Sequence, residues 1–539
     1  MNRTALGAIV IATLILGQLF GQSVALADSP RVCGPTDSID KYRLLRQLSL
    51  DLRGTIPTVA EYEALHEQTD VSADVLEAML SSDAYFTQVR GYHRSLIWAG
   101  LEDGMSIVTN RRRLASAGNR PYRIKQLRRR YRGRSDIECF NREQIEFDAE
   151  GRPIPMEVTV DSTCRRNECR REGYVRIAPY WAPDTSIKIC AYDAQDYELD
   201  LNGNRCGVFN TNPGCGCGQD LRNCLPTGGT EAHSRVRDAL AEESTRIFEA
   251  TIRAGKSYFD AFTTRTTYVN GLLSHFYRYL SGEVALELAN GRAYDHQIDN
   301  IPVLAFDDPA WVPVERNSVH SGVLTTPGFH LRFTSNRART NRFYSAFRCE
   351  PFVSSEGLPA EMSATPNPNL RERPGCAACH QSLERAAAHW GRWRTDGEFG
   401  FFDEPSMDFS AQREDCQRCT GSECSSFCDS YFITANNSSH PDELSQWQGY
   451  PRARAWLSEG EAGAIETGPS GLVTAQTDRD TIATCTVRNL AQHLLNRELS
   501  EDELLVWVPS LTSQFAESGY NFQSLTRNLV TDERYRTIR

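Results

Sequence analysis

A mainly α, multi-domain protein interrupted by a disulfide-rich irregular insertion is the fold class this sequence predicts. Three observations carry that prediction. Apolar residues recur at helical spacing near both ends and in the middle of the chain. Helix-start signals stand where such stretches begin: Thr58 with Glu61 after Pro57, and Ser500 with Glu503, each a hydroxyl residue followed three positions on by Glu. From about residue 105 to 229 the helical spacing disappears, and eight cysteines sit among frequent Asn, Gly, Asp and Pro.

In chain order, Met1–Thr4 carries one positive charge, Arg3. Ala5–Phe20 is almost continuously apolar, and Ala25-Leu26-Ala27 offers small residues before Asp28. This is the pattern of a secretory signal peptide over residues 1–27. No other run approaches the roughly 20 apolar residues of a membrane-spanning helix. Residues 28–104 read as an N-terminal helical domain, with helices at Ile39–Leu52, after Thr58, at Val71–Leu80 and at Tyr85–Leu101. Residues 105–230 read as the insertion, first Arg-rich and then Cys-rich, its loops stapled by up to four disulfides. Residues 231–345 form a central helical domain, with helices at Ala232–Ala254 and Tyr268–Leu280 and a less regular stretch to about Ser345. Residues 346–435 carry the cysteine motifs taken up below. Residues 436–539 form a C-terminal helical domain, regular from Thr481 onward. The spacing of Leu76, Leu80, Asp83 and Phe86 recurs at Leu525, Leu529, Asp532 and Tyr535, as a related helical pair at each end would produce.

Seventeen cysteines fit the oxidising compartment that a signal peptide implies, periplasmic or extracellular. With export, a net charge of −11 argues against nucleic acid as a partner. Against that balance, Arg111–Arg134 holds ten arginines, one lysine and no acid. A solvated face is the plain expectation for such a run, and docking to an anionic surface or an acidic partner is the alternative.

The chemistry concentrates in GCAACHQSLERAAAHWGRW, residues 375–393. Cys376-x-x-Cys379-His380 is the spacing of c-type haem attachment. Two thiols three apart on a helical turn reach the two vinyl groups of a porphyrin, and the adjacent histidine presents a nitrogen to the iron. Composition alone yields about 0.01 such matches in a chain with this many Cys and His. The competing readings are a short disulfide, a redox pair or zinc ligands. The haem reading makes residues 346–435 a cytochrome c-like segment with one haem per chain, and His380 the proximal ligand. Met407, in the loop-like FFDEPSMDFS, is the candidate for the second axial position, while Met362 and His330 are less convenient. Nine residues of helix would carry His389 about 13 Å from His380 along the axis and onto another face. Trp390 and Trp393 are expected to pack against the porphyrin edge or the core.

These stretches resemble the large exported proteins associated with planctomycete-type cytochrome c domains, a family of adjoining domains of unknown function. The resemblance lies in LLRQLSLDLRGTIPTVAEYEAL, in TTYVNGLLSHFYRYL, in GVLTTPGFHLRFTSNRARTNRFYSAFRCEPF, in CAACHQSLERAAAHWGRWR and in the closing TCTVRNLAQHLLNRELSEDELL with LTRNLVTDERYR, in that order. It covers about half of the chain. It implies a c-type haem at Cys376, Cys379 and His380 and supplies no reaction. The family's DPxGxxxExxD run after the histidine is missing, and LERAAAHWGRW stands there instead.

Cys416, Cys419, Cys424 and Cys428 form a second cluster, readable as two disulfides, the preferred reading, or as a structural zinc site. Thr420 follows Cys419, so a second haem is excluded. Of the remaining cysteines, Cys33, Cys349 and Cys485, the preferred pair is Cys349 with Cys485, which would tie the haem segment to the terminal helices. Three functions follow. One is a monohaem cytochrome-like protein that exchanges electrons with a redox partner. The second is a haem enzyme with an open iron position, acting on peroxide or an organic substrate. The third is a disulfide-rich extracellular binding or envelope protein without haem.

Overall fold

The computed structural model describes residues 38–101, 114–124, 132–200, 214–281, 301–352, 370–393, 409–449 and 459–537, apart from breaks of up to three residues within these ranges. Among them the fold is mainly α. Asp40 accepts from the backbone N–H groups of Tyr42 and Arg43 and starts α1 (Lys41–Arg53), which Gly54 ends in the left-handed region at φ 71°. Leu44, Leu45, Leu48 and Leu52 make one buried stripe on α1. Each such burial contributes about 1.5–3 kcal/mol, so packing rather than intrinsic propensity holds this helix. The expected capping box forms at Thr58 and Glu61 and opens α2 (Val59–His66). Ser72 caps α3 (Ala73–Leu80), and Ser82 caps α4 (Asp83–Leu96).

The insertion is more regular than its composition implies. Three antiparallel pairs form: β1 (Leu114–Ala115) with β2 (Arg123–Ile124), β3 (Glu157–Val160) with β4 (Glu168–Arg171), and β5 (Tyr174–Ile177) with β6 (Ile187–Cys190). Cys139–Cys190, Cys164–Cys169 and Cys217–Cys224 are disulfides, and Cys215 is bonded as well, so the stapling expected here is present. The described arginines of the run differ in burial: the side chain is 65% exposed at Arg120, 42% at Arg134, 27% at Arg123 and fully buried at Arg132. Arg120 and Arg123 both reach Glu138, at 2.7 and 2.9 Å, and Arg134 lies 3.8 Å from Asp161. Arg132 is fully buried against Glu172, with Asp193 at 3.3 Å. Each of these four arginines thus has an acid partner, but Arg132 alone among them is taken fully out of solvent, and the exposed Arg120 and Arg134 fit the solvated face expected of the run.

The centre of the chain is organised on α5 (Thr230–Arg253), which packs along α4 with ion pairs Arg90–Glu249 at 2.8 Å and Arg253–Asp83 at 2.9 Å. A short α6 (Asp260–Thr263) leads to β7 (Thr266–Val269), which pairs with β8 (Val312–Glu315). The helix expected from Tyr268 begins only at α7 (Gly271–His275). Asn270 caps it by accepting from the Leu273 N–H, while Tyr268 and Val269 are drawn into the strand pair. The stretch expected to be irregular contains α8 (Pro327–Arg332) and α9 (Asn336–Phe343), followed by a π-helical turn over Tyr344–Arg348.

After Cys349 come α10 (Ala377–Ala387), α11 (Phe409–Arg418), α12 (Pro441–Trp447) and α13 (Glu459–Thr467). The closing helices are α14 (Gln476–Leu495), α15 (Val508–Glu517) and α16 (Phe522–Thr531). One apolar core draws on both ends and the middle, from Leu44 and Phe86 through Phe248 and Phe347 to Phe522 and Tyr535. Polar contacts cross the same seam. Tyr85 and Thr526 share a hydroxyl–hydroxyl bond of 3.0 Å, the Tyr535 hydroxyl donates to Asp51 at 2.6 Å, and Arg527 donates to Glu77 at 2.7 Å. The segments whose spacing repeats, around Leu76–Phe86 and Leu525–Tyr535, thus lie against one another in this core. No helix among the described residues is long and apolar enough to cross a membrane.

Candidate functional site

Gly375, at φ 79°, turns the chain into α10, and Cys376 occupies the position just before its first residue. The backbone N–H of His380 donates to the Cys376 carbonyl at 3.0 Å, so Cys376, Cys379 and His380 share the opening turn. Residues three apart lie on one face of a helix, which puts both sulfurs on the same side. Cys376 and Cys379 are half-buried, and among the described cysteines they are the two that form no disulfide.

His380 is oriented by a neighbour one turn further on. Its Nδ1 lies 2.6 Å from Oε1 of Glu384, whose side chain is only 5% exposed. Arg337 of α9 donates its Nε to the same carboxylate oxygen at 2.7 Å. With Nδ1 held as the donor to a carboxylate, Nε2 is the nitrogen left to bind a metal. Sequence reasoning missed Glu384, yet the signal was there: a His and a Glu four apart face each other on a helix.

The rest of α10 is anchored by packing. Leu383, Ala386 and Ala387 are buried, and the fully buried Trp390 donates its indole N–H to the Leu324 carbonyl at 3.0 Å. His389 does not join His380. Its Nδ1 bonds to the Gly468 carbonyl at 2.7 Å, and burial lowers its pKa, with that bond opposing. His330 packs edge-on against Trp393 at 5.5 Å, past the C-terminal end of the helix whose first turn carries His380. Burial drives its pKa well down, so the ring is neutral. Met407 and Met362 lie outside the described residues.

The second cysteine cluster spends all four sulfurs on two disulfides, Cys416–Cys428 and Cys419–Cys424, a donor set that no longer suits zinc. Cys349 and Cys485 are joined as expected, with Cα atoms 5.5 Å apart. The left-handed backbone of Cys349, at φ 55°, ends the π-helical turn there. Cys139, Glu172 and Cys190 also converge, but the two sulfurs form a disulfide and the carboxylate holds Arg132. Among the described residues, the donor set whose chemistry would suit a covalent haem is Cys376, Cys379 and His380: two sulfurs outside the disulfide framework, and a histidine whose Nδ1 is engaged by Glu384. No protein-family model, no curated protein and no solved structure matches this chain.

Proposed function

We propose that this chain is an exported, monohaem c-type cytochrome-like protein that passes single electrons to and from a redox partner. One observation carries this reading. In a chain whose other described cysteines are paired, the sulfurs of Cys376 and Cys379 stand apart in one helical turn beside His380. Disulfides on this scale and the leader-like residues 1–27 support passage into an oxidising compartment. The resemblance to the planctomycete-type cytochrome c-associated proteins supports the same assignment.

Haem c supplies a one-electron iron couple when bound. The chain's own part is to hold and orient it. Cys376 and Cys379 would form the thioether links, His380 would offer Nε2, and Glu384 keeps the imidazole ring in that tautomer. A second reading, a haem enzyme with an open iron position, is favoured by the carboxylate at Nδ1, because an electron-rich proximal ligand suits peroxide chemistry.

Expression with a haem-maturation system and a pyridine haemochrome assay tests the assignment. Covalent haem is expected in the wild type and its loss in a Cys376→Ala, Cys379→Ala double variant. Wild type without covalent haem would leave the disulfide-rich binding protein as the surviving account. Carbon monoxide then separates the two haem readings: a reduced spectrum that ignores the gas marks a closed electron carrier, and one that shifts marks an open site.

A further inference from the structure

Resting on the haem reading above, we propose that Glu384 is the positioning residue of this site, and that the Arg337–Glu384–His380 chain sets the iron couple to a low potential. Three features of the geometry point there. Glu384 Oε1 meets His380 Nδ1 at 2.6 Å and Arg337 Nε at 2.7 Å, so one carboxylate oxygen serves both groups. The carboxylate is almost completely buried, with 5% of its side chain exposed, whereas Arg337 remains 47% exposed. The negative charge therefore lies on the protein side of the imidazole, where water screens it least, and the opposing charge lies on the solvent side, where screening is strongest.

A histidine that donates to a carboxylate has more imidazolate character than one that donates to a backbone carbonyl, and it is a stronger ligand. Ferric iron carries one more positive charge than ferrous iron, so such a ligand stabilises the oxidised state more and the potential falls. Arg337 works against this by drawing on the same oxygen. Removing the two side chains separately should then move the potential in opposite directions. A contact that only tied α9 to α10 would not produce that pattern.

The experiment uses the matured full chain as wild type, Glu384→Gln and Arg337→Gln, with redox titration and electron paramagnetic resonance of the ferric form. Gln keeps the shape and the acceptor oxygen but removes the charge. At fixed ambient potential, Glu384→Gln should raise the ferrous-to-ferric ratio about tenfold, equivalent to about 59 mV for a one-electron couple. Arg337→Gln should lower the ratio, and the g-values of the two variants should move to opposite sides of the wild type. Covalent haem in all three proteins with unchanged potentials and g-values would overturn this role and leave the haem assignment standing. Wild type that takes up no haem would remove the assignment itself. Should Glu384→Gln not fold, Arg337→Gln still decides the matter, because its half-exposed side chain can be lost without opening the core, and a potential that fails to fall would overturn the proposal.

Discussion

His93 sits inside a cluster of aromatic side chains, stacked on Phe248 at 4.0 Å between ring centres and fully buried. Its Nδ1 bonds to the Val89 carbonyl at 2.8 Å and its Nε2 meets the Tyr258 hydroxyl at 3.1 Å. Burial pushes its pKa down to about 3, and His493 nearby adds to the effect; Tyr92 and Tyr258 are the other titratable groups around the ring. The unfolded chain takes up this proton near pH 6.5, and the folded chain only near 3. The stabilising effect is therefore complete above about pH 6.5 and declines as pH falls through that window, by about 1.4 kcal/mol per pH unit. His275, also lowered to about 3 by burial, acts in the same sense. Unfolding temperatures measured between pH 6.5 and 4.5 should drop more steeply for the wild type than for His93→Phe. Parallel curves would show that His93 is not a source of the acid sensitivity. At the same scale, composition read the arginine run only in part: Arg120 and Arg134 are exposed as a solvated face requires, whereas Arg132 is buried. Counting Arg111–Arg134 shows eleven positive charges, but whether Glu138 or Glu172 folds back onto them is a tertiary fact that no local count contains.

Helices whose ends are written into the chain were the legible ones. Thr58 with Glu61 and Ser500 with Glu503 both form the expected reciprocal caps, and Glu503 accepts from the Ser500 N–H at 2.8 Å. Thr58→Ala is expected to cost about 1 kcal/mol, read as a shift in the denaturation midpoint with the slope unchanged. An unchanged midpoint would mean that packing on α1 and α3 alone sets the start of α2. What was not legible has an equally physical reason. In α9, Asn336, Arg339 and Thr340 are buried although they are polar, so an apolar stripe was never there to be read. Arg339 instead donates to the Phe333 carbonyl at 2.9 Å and to Asn336 Oδ1 at 2.7 Å. Tyr268 and Val269 fit a helical pattern as well as a strand, and only the partner strand 45 residues on, at Val312–Glu315, decides between them. The Cys376-x-x-Cys379-His380 spacing was plain in the sequence, whereas Glu384 needed the helix to bring it back to His380.

Across the whole molecule, the Cys349–Cys485 bond links the turn that precedes the Cys376-x-x-Cys379-His380 segment to α14 and closes a loop spanning 136 residues. In the chain-entropy picture a loop of this length is worth about 5 kcal/mol, and measured losses for native bridges run about 2–5 kcal/mol. A Cys349→Ser, Cys485→Ser double variant should lose stability by that amount while keeping Cys376 and Cys379 able to take haem. Loss of haem uptake together with stability would mean that this bridge also builds the site. The fold class was readable because both ends and the centre carry helical spacing. That the two ends share a single core was hinted at only by the recurring Leu-Leu-Asp-aromatic spacing.

That shared core has a consequence for the order in which the chain can fold. Asp51 meets Tyr535 across 484 residues, and Glu77 meets Arg527 across 450. The first helices to emerge during synthesis therefore cannot complete their packing until the last ones exist, unlike a chain whose leading domain folds by itself. Contacts of such long range also make for slow closure. A chain in this condition stays loose while it is being made, which is the state in which a polypeptide is threaded through a membrane pore. For a chain exported as proposed above, the final set would fall on the far side, where oxidants for the bridges are at hand.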